Sequence, residues 1–144
     1  MQTTYNENMA VAVLGQLVDS TDHRIDSKYA TAAIAAGDAV QIGASDTLCV
    51  KATTAVYGVA IQHPTLTMSD TTGKAAYAQG DGVSVLRAGR VWVAVDGAVA
   101  INAQAYWNVA SGAFNSTSLN NFIVTGGRFV TSTAGAGLAI LEIM

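Results

Sequence analysis

A chain of 144 residues, 51% hydrophobic and 12% charged, is long enough for one domain with a core of its own but carries too few charges to coat an isolated surface. Its polar coat must come from Thr, Ser, Asn and Gln, or another protein must cover part of it. Seven basic residues scattered from Arg24 to Arg128 and a formal net charge of −3 argue against direct nucleic-acid binding, and a single cysteine excludes an internal disulfide framework.

The first nine residues, MQTTYNENM, contain Glu7 and no basic group, and the apolar run behind them ends at Gly15, so no signal peptide is expected. No window approaches the roughly 20 uninterrupted apolar residues of a membrane helix. The expected setting is a cytosol, or release by lysis. Residues 1–33 hold six of the seventeen charged residues, Glu7, Asp19, Asp22, Arg24, Asp26 and Lys28, with apolar residues in short islands such as AVAVLG. This segment reads as an N-terminal arm, with one helical turn over residues 20–27 capped by Ser20 or Thr21.

From residue 34 onward, short runs rich in Val, Ile, Thr and Tyr alternate with Gly, Asp, Asn and Ser. They predict strands over 39–42, 48–53, 56–61, 75–78, 82–86, 90–95, 105–109, 113–115, 128–131 and 137–143. Ten short strands at this spacing predict an all-β small barrel or sandwich spanning residues 34–144. Pro64, the only proline, marks the exit from the third strand. AAGDAVQI (35–42) and AQGDGVSV (78–85) share the pattern A-x-G-D-x-V-x-[IV]. Each reads as a tight turn in which Gly37 or Gly80 takes positive φ and Asp38 or Asp81 bonds the turn's own amides. TGGRF (125–129) and TAGAG (133–137) read as hairpin connections.

RAGRVWVAVD (87–96) sets a problem of its own. Val91, Val93 and Val95 share one strand face while Trp92 and Ala94 share the other, so both faces look dry and the second needs cover. Trp92, aromatic among small residues on that second face, is a candidate interface anchor. Arg87 and Arg90, with Arg128, are candidates for interfacial ion pairs through the planar guanidinium fork. The charged residues Asp19, Asp22, Arg24 and Asp26 of the arm complete the candidate contact set.

Catalytic chemistry finds little material. His23 lies among Asp19, Asp22 and Asp26, but the mid-loop glycine and terminal glutamate of a calcium loop are missing, so the stretch reads as a solvated polar segment and no metal is expected. His63 has no acid or nucleophile beside it, and no G-x-S-x-G elbow is present. GVSVLRAGR lacks the phosphate-loop spacing. Cys49, in TLCVKA, reads as a small buried apolar side chain. No catalytic residue and no cofactor is therefore expected.

The chain resembles the structural cement, or decoration, proteins of tailed-bacteriophage capsids. The resemblance rests on AVLGQLVDSTDHRIDSKYATAAIAAGDAV, then YGVAIQ, then YAQGDGVSVLRAGRVWVAVDGAV, and a terminal GGRFVTSTAGAGLAILEI, in that order. It implies a β-rich virion protein without an active site, made in the host cytoplasm, that binds the outer surface of the assembled head and bridges neighbouring major capsid subunits. It also implies a homo-oligomer, trimers first and dimers second. The arm would order on the shell, offsetting its ordering entropy with contacts repeated across the lattice. A rival reading from another class is a soluble, carbohydrate-directed β-barrel with Tyr106 and Trp107 as a stacking platform.

Overall fold

The computed structural model describes residues 14–18, 23–62, 67–68, 75–118 and 122–143. Its longest strand, β8 (Gly82–Val95), organises the rest. Val83, Val85, Val91, Val93 and Val95 are all buried along it. Burying such side chains favours folding by roughly 1.5–3 kcal/mol each. Two strands were expected here, 82–86 and 90–95. They are one because Arg87, Ala88 and Gly89 continue the strand through an irregularity, with register partners Ile25↔Leu86 and Arg24↔Ala88 passing over Arg87. Gly89 at φ 126° takes a backbone conformation that side-chain-bearing residues avoid.

Two five-strand circuits share β8. Its first half closes with β1 (Arg24–Ala30), β4 (Leu48–Lys51), β3 (Ala39–Ile42) and β5 (Gly58–Ala60). The second half closes with β10 (Ala113–Asn115), β9 (Gln104–Asn108), β11 (Phe122–Phe129) and β12 (Gly137–Ile143). Closure leaves β8 no free edge for stray pairing. A separate small sheet, β2 (Ile34–Ala35), β7 (Ala75–Tyr77) and β6 (Thr67–Met68), stands beside the first circuit. One core cluster gathers Ile34, Val40, Cys49, Ala60, Tyr77, Val83 and Val85; the other runs through the second circuit with Val91, Val93, Trp107, Phe114, Phe129 and Leu141. Val59 and Leu86, register partners, belong to that second cluster while their neighbours Ala60 and Val85 belong to the first. The chain therefore buries Val83 and Val85 on one face of the first half of β8 and Leu86 on the other, with Ser84 half-buried. The all-β expectation holds, with twelve strands among the described residues for the ten expected.

Arg24–Ala30 is a strand of the main sheet, antiparallel to β8 and parallel to β4, which corrects the helical turn expected over residues 20–27 and draws these residues of the arm into the sheet. The alternation R-I-D-S-K-Y hid it, because Ile25 and Tyr29 are exposed while Asp26 and Lys28 are half-buried, the reverse of the usual pattern. Residues 14–18 lie along β8 as well: Leu17 bridges Val91, Gly15 N donates to Trp92 O at 2.8 Å, and Trp92 N donates to Gln16 O at 3.0 Å. TGGRF is also corrected: it lies inside β11, where pairing with β9 shifts register between Ile123 and Arg128, and does not form a hairpin. The glycines serve a bulged strand, whereas TAGAG does connect antiparallel β11 and β12. His63 and Pro64 lie outside the described residues.

The paired turns form as the pattern predicts. Gly37 and Gly80 both stand at φ 89°. Asp38 N donates to Ala35 O and Asp81 N to Ala78 O, both at 3.1 Å. In return, Ala35 N donates to Asp38 Oδ2 at 3.1 Å and Ala78 N to Asp81 Oδ2 at 2.8 Å. Each aspartate thus serves as both donor and acceptor for its own turn.

Candidate functional site

Along the second half of β8 the side chains opposite the buried valines face outward. Arg90 is exposed, Trp92 and Ala94 are half-buried, and Asp96 just past the strand end is exposed. The register with β12 sets Glu142 beside Arg90, Ile140 beside Trp92 and Leu138 beside Ala94. Leu138 is 38% exposed and Ile140 half-buried, so the middle of this face is apolar. Charge collects at both ends. Arg90 Nε lies 3.4 Å from Glu142 Oε2, and Arg128 is the register partner of Glu142 from the β11 side. At the other end Asp96 Oδ2 accepts from Asn108 Nδ2 at 3.0 Å, Ser111 Oγ at 2.8 Å and Asn115 Nδ2 at 3.3 Å.

The remaining candidates of the sequence fall elsewhere. Arg87 and Asp26 meet each other within the chain: Arg87 Nε stands 4.0 Å from Asp26 Oδ2, Tyr57 Oη donates to that oxygen at 2.5 Å, and the Arg87 guanidinium lies over the Tyr57 ring at 3.7 Å. The hydrogen bond to Asp26, then burial, pushes the Tyr57 hydroxyl up from its ordinary value. Arg24 is exposed at the start of β1. Asp19 and Asp22 lie outside the described residues, so the acidic cluster around His23 is not described as a whole. Among the described residues no three metal-ligating side chains converge. Cys49 is fully buried, and its burial pushes the thiol up, against a smaller opposing effect of Lys28.

The stacking platform of the rival reading is overturned. Trp107 is fully buried, edge-on to Phe114 at 4.9 Å between ring centres, with Nε1 donating to Ala52 O at 3.0 Å. Tyr106 points to the opposite face of β9, as alternation requires, so the two rings share no surface. An open pocket of about 270 Å³ lined by Gln41, Ile42, Thr54, Ala55, Val56 and Tyr57 lies by the first circuit, where Gln41 Oε1 is taken up by the Thr53 and Thr54 amides.

Leu138 and Ile140 were missed as surface residues, although the alternation in GLAILEI held the signal: Ala139, Leu141 and Ile143 are buried, which sends the residues between them outward. Tyr29, 58% exposed, and Ile101, 68% exposed, had no comparable signal in the sequence.

The family described as Structural cement protein (E217 gp24/Pam3 gp6) matches residues 1–144. A search of curated proteins finds no match. Among solved structures, a chain from "The capsid of Myoviridae Phage XM1" superposes with a TM-score of 0.75 at 15% identity, covering 99% of this chain and 96% of that one. A chain from "The crystal structure of head fiber gp8.5 N base in bacteriophage phi29" gives a TM-score of 0.55 at 15% identity, covering 85% and 94%. At these identities the likeness is one of fold.

Proposed function

The chain belongs to the structural cement protein family of phage virions, and from that premise we propose that it binds the outer surface of the assembled head as a homo-oligomer, bridging neighbouring major capsid subunits. A cement role in the virion follows from the family; the outer surface, the bridging and the oligomer are the proposal. The observation that carries it is the outer face of the second circuit, apolar at Trp92, Ala94, Leu138 and Ile140 and flanked by charges, a composition suited to contact with protein. The reading contains no catalytic step and calls for no cofactor. The protein is made in the host cytoplasm and carried on the virion.

Such a protein strengthens a shell through number. Each copy makes modest contacts, and repetition over a lattice turns them into avidity through high effective concentration. A folded body whose strands close into circuits adds few exposed sheet edges to the shell surface.

The test is addition of the purified protein to undecorated heads, imaged and then challenged by heat. Added density outside the shell and a raised rupture temperature are expected; bare heads overturn the proposal. The arm needs a cut that spares the sheet. Removing residues 1–33 would take away β1, which pairs with both β4 and β8. Removing residues 1–13 leaves Leu17 on Val91 and every strand named above in place. Full occupancy of heads by the chain lacking residues 1–13 would discard the first part of the arm as a tie.

A further inference from the structure

We infer that the outer face of β8 pairs with the same face of a second copy across a two-fold axis that runs between the two sheets at the level of Val93. This names the self-contact of the homo-oligomer proposed above and rests on that part of the reading. The outward series on β8 is Arg90, Trp92, Ala94, Asp96: cation, large, small, anion. Its midpoint is Val93, and the series is complementary to its own reversal. A two-fold axis lying across the strands reverses the second copy, so Arg90 faces the second copy's Asp96 and Trp92 lies over its Ala94. A large ring then meets a small side chain at both symmetry-related positions, and an isologous contact of this kind repeats each interaction twice.

The charges within one copy fit this partner. At the Arg90 end, Arg90 Nε stands 3.4 Å from Glu142 Oε2, while Arg128, the register partner of Glu142, donates Nη1 to Asn102 O at 3.2 Å and keeps its charge, so two cations stand against one carboxylate. At the opposite end, the Asp96 hydrogen bonds from Asn108, Ser111 and Asn115 all come from neutral donors, so its charge is held in place and not cancelled. One end is left net positive and the other net negative, about 20 Å apart at the rise of an extended strand. The other half of β8 offers no such apolar outer face, because Val83 and Val85 on one side and Leu86 on the other are buried in the chain's own cores. Isologous pairing closes at two, so the geometry assigns the dimer in preference to the trimer.

The experiment uses two single variants, Arg90→Glu and Asp96→Lys, with circular dichroism as the check of folding and sedimentation equilibrium as the check of mass. The wild type is expected as a dimer that weakens in high salt. Each variant sets like charges against each other in its own homodimer and is expected to dissociate more readily by about tenfold or more. Mixing the two restores both opposite-charge contacts at once, so an equimolar mixture regains dimer mass as a one-to-one heterodimer, read by native mass spectrometry. A third variant, Ala94→Trp, keeps both charges and is expected to be monomeric, because it fills the space under the partner's Trp92. A wild type that is monomeric, a trimer indifferent to these changes, or a mixture that stays monomeric overturns the inference. Occupancy of undecorated heads by the wild type is scored in parallel: a dimer that leaves heads bare sinks the proposed outer-surface bridging while the self-contact stands.

Discussion

The guanidinium of Arg87 lies 3.7 Å from the centre of the Tyr57 ring and donates to the carbonyl oxygen of the same residue. Tyr57 in turn donates its hydroxyl to Asp26 at 2.5 Å, and Asp26 stands 4.0 Å from Arg87. The three residues come from the irregular point of β8, the approach to β5 and the middle of β1, so the cluster ties together the strands that close the first circuit. Arg87→Ala is expected to lower the free energy of unfolding by about 1–2 kcal/mol, from the lost stack and the charge-assisted hydrogen bond. Arg87→Lys should recover less than half of that, because an ammonium keeps the charge and loses the planar face. Urea unfolding of the three proteins checks both statements, and full recovery by lysine would reduce the cluster to simple charge.

Gly15 and Gly80 both stand at positive φ, 78° and 89°, yet they should respond very differently to alanine. At Gly80 nothing lies within 4 Å of an added Cβ, so the substitution costs only the left-handed backbone, about 1–2 kcal/mol. At Gly15 the new Cβ would meet Ala36 Cβ and Gly37 N, both at 2.8 Å, and the backbone neighbour cannot swing aside. Gly15→Ala should therefore lift residues 14–18 off β8. The Trp92 amide, which donates to Gln16 O, is the reporter. Its hydrogen exchange should accelerate strongly in Gly15→Ala and stay unchanged in Gly80→Ala; equal exchange in both would mean that the close approach is easily relieved.

Alkaline sensitivity follows from the first core. Burial raises Cys49 from its ordinary 9.0 and Tyr77 from its ordinary 10.0, and both side chains sit in the same cluster. The folded chain holds these protons more tightly than the unfolded chain does. Their contribution to stability is complete below pH 9, begins to fall as the unfolded thiol ionises, and is lost as pH rises through the raised folded values. Unfolding free energy measured from pH 8 to 11 should thus decline, and Cys49→Ala should remove the earlier part of the decline whatever it does to the absolute stability. An unchanged slope in that variant would assign the loss to other groups.

What was legible in the chain depended on whether local pattern and tertiary environment agree. The A-x-G-D turns were readable because everything they need, a positive-φ glycine and a carboxylate three residues from the amide it bonds, lies within four residues. The buried valines of β8 were readable by alternation. β1 was hidden because its half-buried positions are Asp26 and Lys28. Asp26 is served by Tyr57 and Arg87, and Lys28 donates to Asp46 O, so these partners come from distant parts of the chain. Gly126 and Gly127 looked like a turn because a bulge inside a long strand uses the same residue as a hairpin. At the site, Trp92 was visible from its small neighbours. Its partners on the face, Leu138 and Ile140, appear only once the register of β12 against β8 is known.

The two tryptophans separate fold from assembly. Trp107 is fully buried, bonded to Ala52 O and packed on Phe114, so Trp107→Ala should cost about 3–5 kcal/mol and threaten folding outright. Trp92 is half-buried on the outer face, with Val91 and Val93 beside it holding the core without its help. Trp92→Ala should leave urea unfolding of the monomer within about 1.5 kcal/mol of the wild type, the scale of a partly exposed side chain. It should nevertheless abolish self-association, since an aromatic ring at the centre of a small contact carries much of its energy. Acrylamide quenching in Trp107→Phe, where Trp92 is the sole emitter, adds a second reading: quenching should fall as concentration brings copies together and rise again in Trp107→Phe combined with Arg90→Glu. If Trp92→Ala unfolds as readily as Trp107→Ala, the outer ring belongs to the core of its own subunit and the contact lies elsewhere.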